Sequence, residues 1–155
     1  MKEYKVPVED TFCHVIKFGS GPNTLVILPG INLCGLQGQG EAIESAYSIF
    51  SKDFTCYLID IRNSVKPGFT IYDICDDIYE VAKYFGIKHA SVYGVSMGGI
   101  TGCLLESKYP NTLDKFVVCS SMCRTTKKIK EVASEWIAYA KAHDIVNLNS
   151  SFILI

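Results

Sequence analysis

Ser96 stands between Gly94 and Gly98 in the stretch VYGVSMGGITG, residues 92–102. That spacing suits a sharp strand-to-helix turn that lifts a serine hydroxyl clear of the backbone, where it can attack an electrophilic carbon. A serine hydroxyl is a weak nucleophile at neutral pH and needs a neighbouring base to take its proton. The five-residue pattern alone recurs by chance, so its setting carries the argument. Here it ends the apolar run HASVYGVS and opens the small-residue segment MGGITGCLLESKY. Gly94 and Gly98 relieve crowding around a strained serine, and Gly99 and Gly102 let the following helix pack closely.

The elements that must position this serine read clearly from hydrophobic patterning. FCHVIKF (12–18) has strand character, and TLVILPG (24–30) is an apolar β-branched run typical of a strand buried on both faces. After the glycine-bearing loop INLCGLQGQG, a helical pattern places Ala42, Ile43, Ala46, Tyr47 and Phe50 along one side. FTCYLIDI (54–61) is the next buried strand. Thr70 and Asp73 form a capping box for a helix from about Ile71, and Gly86 stops it. HASVYGVS is a strand, the segment up to Pro110 a helix, and LDKFVVCSS a further strand. Alternating β and α elements with short connections predict an α/β fold: a mostly parallel sheet with helices on both faces. KKIKEVASEWIAYAKAH then reads as one amphipathic helix with the stripe Ile129, Val132, Ala133, Trp136, Ile137 and Ala140. The expected organisation is a core over residues 1–124, followed by a helix and tail over 125–155.

Composition excludes several function classes. Fifteen basic against sixteen acidic residues give a formal net charge of −1, leaving no basic surplus for a nucleic acid. No apolar run approaches the roughly 18 residues of a membrane span, and the charged start MKEYKVPVED lacks a signal-peptide core. A cytoplasmic location is the resulting expectation, with no membrane partner; the mixed charges of the amphipathic helix favour docking on the core over a membrane surface. The seven cysteines are scattered singly and read as reduced core thiols. Cys119 and Cys123 lack the companions of a zinc site, so neither a metal nor a cofactor is expected.

A dinucleotide-binding reading competes with the nucleophile. GVSMGGI also resembles the glycine turn of short-chain dehydrogenases, and YEVAK (79–83) mimics their tyrosine–lysine pair. Three facts oppose it, the first being that YEVAK lies before the glycine turn rather than after it. Ile100 stands where that pattern wants a glycine, and the turn follows the third buried strand, whereas a dinucleotide fingerprint opens the first βα unit.

Over residues 4 to about 124 the chain resembles the α/β-hydrolases. YKVPVEDTFCHVIKF matches the opening hairpin, TLVILPG the strand before the oxyanion loop, FTCYLIDIR the strand ending in a DxR segment, and VYGVSMGGI the nucleophile elbow. The resemblance implies that Ser96 is the nucleophile, with the backbone N–H groups of Met97 and Ile31 as oxyanion donors. It implies a small-molecule acyl substrate, an ester or related compound. Pro29-Gly30 replaces the commoner His-Gly, and DIRNSV replaces DxRGxGxS, which bears on substrate identity more than on fold.

The family's triad runs serine, acid, histidine in chain order. His89 begins the strand that ends at Ser96, about 23 Å away, and His14 lies on an outer strand of the opening hairpin. Asp114 starts its strand at the wrong edge to serve as the acid. His143, beside Asp144 with Glu131 and Glu135 nearby, alone satisfies chain order as a base, in what the family makes the start of a lid. A solvated helix end is the simpler role for it. The resemblance further implies two or more strands after the lid, carrying the acid and the histidine. The expectation is therefore an amino-terminal portion that lacks the last strands, is weakly active or inactive alone, and has an uncovered sheet edge open to self-association. The alternative is a noncatalytic domain that keeps the elbow as architecture and binds a ligand or partner chain.

Overall fold

The computed structural model describes residues 1–32 and 35–153, the last of these in its backbone only, and divides into two units, Met1–Ser121 and Met122–Ile155. In the first, strands β1 (Lys2–Val8), β2 (Thr11–Phe18), β3 (Asn23–Leu28), β4 (Phe54–Arg62), β5 (Ala90–Val95) and β6 (Leu113–Cys119) form one sheet in the order β1-β2-β4-β3-β5-β6. β1, β2 and β4 pair antiparallel, while β4, β3, β5 and β6 run parallel. Helices α1 (Gly40–Ala46), α2 (Ile71–Tyr84) and α3 (Met97–Lys108) make the crossovers. This is the mostly parallel α/β sheet that the alternating pattern predicts.

The period-2 alternation of strand side chains sorts the core into two layers. Val26, Leu28, Tyr57, Ile59 and Val92 join Cys75, Ile78 and Val81 of α2 and Leu105 of α3 on one face. Leu25, Ile27, Cys56 and Leu58 join Ile43 on the other, with Tyr47, Phe50 and Tyr93 packed against them. Residues 25–28 of β3 and 56–59 of β4 are apolar without interruption because both of their faces are covered, whereas β5 alternates buried and half-buried residues.

α2 begins as its sequence predicts: the Thr70 N–H and hydroxyl both donate to Asp73 Oδ2 at 2.6 Å, and the helix stops before Gly86 at φ 68°. α1 is shorter than its pattern suggests. It ends at Ala46, and a single 3₁₀ turn (Ser48–Phe50) follows, so Ile43, Tyr47 and Phe50 face inward while Ala42 and Ala46 are exposed.

His14 departs from its expected place. β2 lies between β1 and β4 and is not an outer strand, so His14 is buried, with Nε2 2.9 Å from Glu3 Oε2. The cysteines divide: Cys13, Cys56 and Cys75 are buried thiols, whereas Cys103 and Cys123 are exposed. Cys34 lies outside the described residues. Burial pushes the Cys13 thiol up to about 12, which keeps it protonated and inert.

The second unit holds α4 (Lys127–Lys141), the amphipathic helix expected there, and α5 (Ile145–Ile153). The Thr126 side chain accepts from the Ile129 N–H at the start of α4, and Trp136 stacks on Phe152 with centroids 4.3 Å apart.

Candidate active site

Ser96 occupies the junction of β5 and α3 at φ 52° and ψ −115°, a backbone conformation that a side-chain-bearing residue adopts only when its surroundings impose it. Those surroundings are identifiable. The Ser96 N–H donates to the Cys119 carbonyl at 2.9 Å, and the Ser121 hydroxyl donates to the Ser96 carbonyl at 2.6 Å. The same carbonyl accepts from the Gly99 N–H at 3.0 Å. The end of β6 therefore clamps the elbow from one side while α3 pulls on it from the other. Ser96 itself is exposed, so the strain holds a hydroxyl at the surface.

The glycines explain how the turn closes. A Cβ on Gly98 would fall 2.0 Å from the Leu28 carbonyl oxygen, and one on Gly94 would fall 2.6 Å from the Gly98 oxygen. Backbone meets backbone at both points, and only hydrogen fits. A Cβ on Gly30 would stand 3.2 Å from Ser96 Cβ and 3.7 Å from its Oγ, so the loop leaving β3 passes directly beside Ser96. Ile31 follows in that loop, and Met97 is the first residue of α3, where a backbone N–H has no partner within the helix.

Two acidic side chains tether this loop further along. Asp60, at the end of β4, accepts from the Leu36 N–H and from the Ile61 N–H, both at 3.0 Å. Burial raises its pKa, opposed by those two N–H bonds. Glu3 of β1 accepts from the Gly38 N–H at 3.1 Å and the Gly40 N–H at 3.0 Å, and its carboxyl titrates below the ordinary value, chiefly because of the Gly38 bond. Arg62 completes the frame. It makes a two-pronged pair with Asp77 of α2 at 2.7 and 2.6 Å and reaches Glu9 at 2.8 Å. These contacts hold Arg62 above its ordinary pKa, with Asp77 the largest cause.

Neither histidine of the first unit can serve Ser96. His89 lies beside the start of β5, with Nδ1 3.6 Å from Asp114 Oδ1, about 23 Å from the elbow along the strand. His14 sits on β2, three strand spacings or about 14 Å across the sheet from β5. His143 belongs to the second unit, just beyond α4 at φ 56°. The pocket beside Met97, Gly98 and Thr101 is only about 20 Å³, room for roughly one water. Sequence reasoning missed the Ser121 clamp and both loop tethers. The DxR segment was the available signal for Asp60 and Arg62, but nothing in the chain order of Glu3 or Ser121 points to the loop or the elbow.

A family model for the alpha/beta hydrolase fold matches residues 23–141. The chain belongs to the α/β-hydrolase fold family. It is 26% identical over 132 residues to the mouse serine hydrolase BPHL, covering 80% of this chain and 44% of that protein. Among solved structures it is similar to MGS-M2, an α/β-hydrolase enzyme from a Medee basin deep-sea metagenome library, with a TM-score of 0.84 and 17% identity, covering 97% of this chain and 56% of that one. It is also similar to the carboxylesterase CesB of Bacillus subtilis, with a TM-score of 0.69 and 20% identity over 87% of this chain and 49% of that one. The chain thus spans about half the length of these relatives.

Within this α/β-hydrolase chain, no group of three or more His, Cys, Asp or Glu residues among the described residues could hold a metal ion, and no described helix is long and apolar enough to cross a membrane.

Proposed function

We propose that the protein is a serine hydrolase acting on a small ester or related acyl compound, with Ser96 as its nucleophile. The observation that carries this reading is the strained, exposed Ser96 at the β5–α3 junction, with the Gly30 loop against it. Ser96 Oγ attacks the acyl carbon as a base takes its proton. The carbonyl oxygen, now negative, is held by the Ile31 and Met97 N–H groups, the alcohol leaves with a proton, and water then releases the acid. The names of the mouse serine hydrolase and the carboxylesterase support this chemistry.

The base and the acid belong, in this reading, to polypeptide that follows the lid segment. The greater length of the relatives supports that division, and so does the distance of His14 and His89 from the elbow. The 155-residue chain alone is then weakly active, and the cytoplasm is its proposed location. p-Nitrophenyl acetate tests the assignment. The expected result is a slow release of p-nitrophenol that Ser96→Ala abolishes and His143→Ala leaves unchanged. Loss of the release in His143→Ala would make His143 the base and overturn the division.

A second role rests on a separate observation. Among the described residues β6 is an edge strand paired only with β5, and its Val117 and Val118 are 55% and 50% exposed. An open apolar edge pairs readily with another strand, which favours self-association of this chain through β6.

A further inference from the structure

The Ser96 carbonyl and the Met97 N–H are the two ends of one planar trans peptide, so whatever pins the carbonyl aims the N–H in the opposite direction. That carbonyl accepts from three groups: the Ser121 hydroxyl at 2.6 Å, the Gly99 N–H at 3.0 Å and the Ile100 N–H at 3.4 Å. The two N–H groups are what any first helical turn supplies to its N-cap. The hydroxyl is the nearest of the three, and it comes from outside the helix, two residues beyond the end of β6.

This peptide needs an outside hold. At φ 52° and ψ −115°, Ser96 lies outside the regions open to a side-chain-bearing residue. The angle ψ is rotation about the bond from Cα to the carbonyl carbon, so relief of the strain turns the Ser96–Met97 peptide and swings the Met97 N–H with it. A hydrogen bond to the carbonyl oxygen resists that turn.

The chain around Ser121 is shaped to make this bond. Ser120, just before it, stands at φ 46°, a second left-handed residue that carries a side chain. Gly99 clears the space, since a Cβ there would fall 2.5 Å from both Cβ and Oγ of Ser121. Backbone strain at Ser120 and a bare Cα at Gly99 thus serve one contact, and strain of this kind gathers at functional sites. Without Ser121 the carbonyl would still have the Gly99 and Ile100 N–H groups, so what the hydroxyl adds is orientation.

We propose that Ser121 is a positioning residue for the hydrolysis: through the Ser96 carbonyl, its hydroxyl aims the Met97 N–H at the oxygen that turns negative when Ser96 attacks. This rests on the proposed roles of Ser96 and Met97. Ser121 itself touches no reacting atom and carries no proton.

Ser121→Ala tests the assignment in the whole chain. Deleting an oxyanion donor outright slows reactions by about 10²- to 10³-fold; here the donor is misaimed and Ile31 is untouched, so about tenfold is expected. With p-nitrophenyl acetate, that loss should fall on kcat per mole of folded protein, with KM changed by less than about twofold, because the donor acts on the transition state. Proton–nitrogen correlation spectra read the peptide without turnover: the Met97 amide signal should move while the sheet amides of Ile27 and Leu58 stay in place. A kcat equal to the parent's, an unmoved Met97 signal, or shifts spread equally to Ile27 and Leu58 would overturn the positioning role. Absence of Ser96-dependent release from the parent would refute the Ser96 chemistry itself, whereas parent release with an unchanged Ser121→Ala refutes the positioning role alone.

Discussion

Gly98→Ala sets two known effects against each other, and their sizes decide the sign. Alanine is the better helix former by up to about 1 kcal/mol, so propensity alone predicts a stabilised α3. The added methyl, however, would fall 2.0 Å from the Leu28 carbonyl oxygen and 2.5 Å from its carbon. That is more than an ångström inside ordinary contact, and the obstacle is backbone, which no rotamer change can move aside. The start of α3 must retreat from β3, breaking close packing at a cost of typically 1–3 kcal/mol and sometimes more. Because the obstacle is backbone, the top of that range applies, and about 3 kcal/mol less the gain of about 1 leaves a net loss of about 2 kcal/mol, a fall in Tm of roughly 4–8 °C for a chain of this size. Gly102→Ala is the internal comparison, because its methyl meets the Phe116 ring at 2.3 Å, a side chain that can shift. It should cost less. Ser107→Ala, exposed on the same helix, should change little. Retreat of α3 also carries Met97 away from the Gly30 loop, and a misplacement near 1 Å slows a positioned reaction by about 10²-fold. A Tm for Gly98→Ala equal to or above that of the parent would refute the claim that this glycine is required by backbone contact.

Three further outcomes are expected. Arg62→Met leaves Asp77 buried without its partner and should destabilise by about 3–5 kcal/mol, whereas Arg62→Met with Asp77→Leu should recover most of the loss in thermal melts. Glu3→Gln should cost about 1–2 kcal/mol at pH 7, since the carboxylate accepts from Gly38 and Gly40 and contacts His14. The folded pKa of Glu3 lies below its unfolded value near 4.5, so this stability is present above that value and is lost as pH falls through the folded one; denaturant titrations of parent and variant should converge there. Val118→Lys puts a charge on the open β6 edge and should shift any concentration-dependent oligomer seen by size-exclusion chromatography towards monomer.

The parts of the fold that sequence makes legible are those governed by local rules. β3 and β4 announce themselves by the apolar runs at 25–28 and 56–59, covered on both faces, β5 reads as a strand that ends at the glycine-flanked serine, and α2 carries its start and stop in Thr70, Asp73 and Gly86. The elbow is readable for the same reason, since its strain requires small residues at fixed offsets from Ser96. What sequence conceals is the consequence of sheet order. β2 is internal because β4 pairs with it antiparallel, which buries His14, and no local pattern encodes that pairing. The tethers of the Gly30 loop are hidden likewise: Glu3 and Gly38 are 35 residues apart, and Asp60 and Leu36 are 24. α1 ends early because Tyr47 and Phe50 gain more from packing on Tyr93 and Phe54 than from continuing a helix whose outward face carries Ala42 and Ala46.

The role we propose for Ser96, at the β5–α3 junction, is that of the acyl acceptor, with the Ile31 and Met97 N–H groups as oxyanion donors. Its most direct test is a fluorophosphonate reaction followed by peptide mass spectrometry of the folded chain. The expected result is one adduct on the peptide containing Ser96, slow to form and absent from Ser96→Ala. An adduct that persists in Ser96→Ala, or no adduct on that peptide after prolonged exposure, would contradict it.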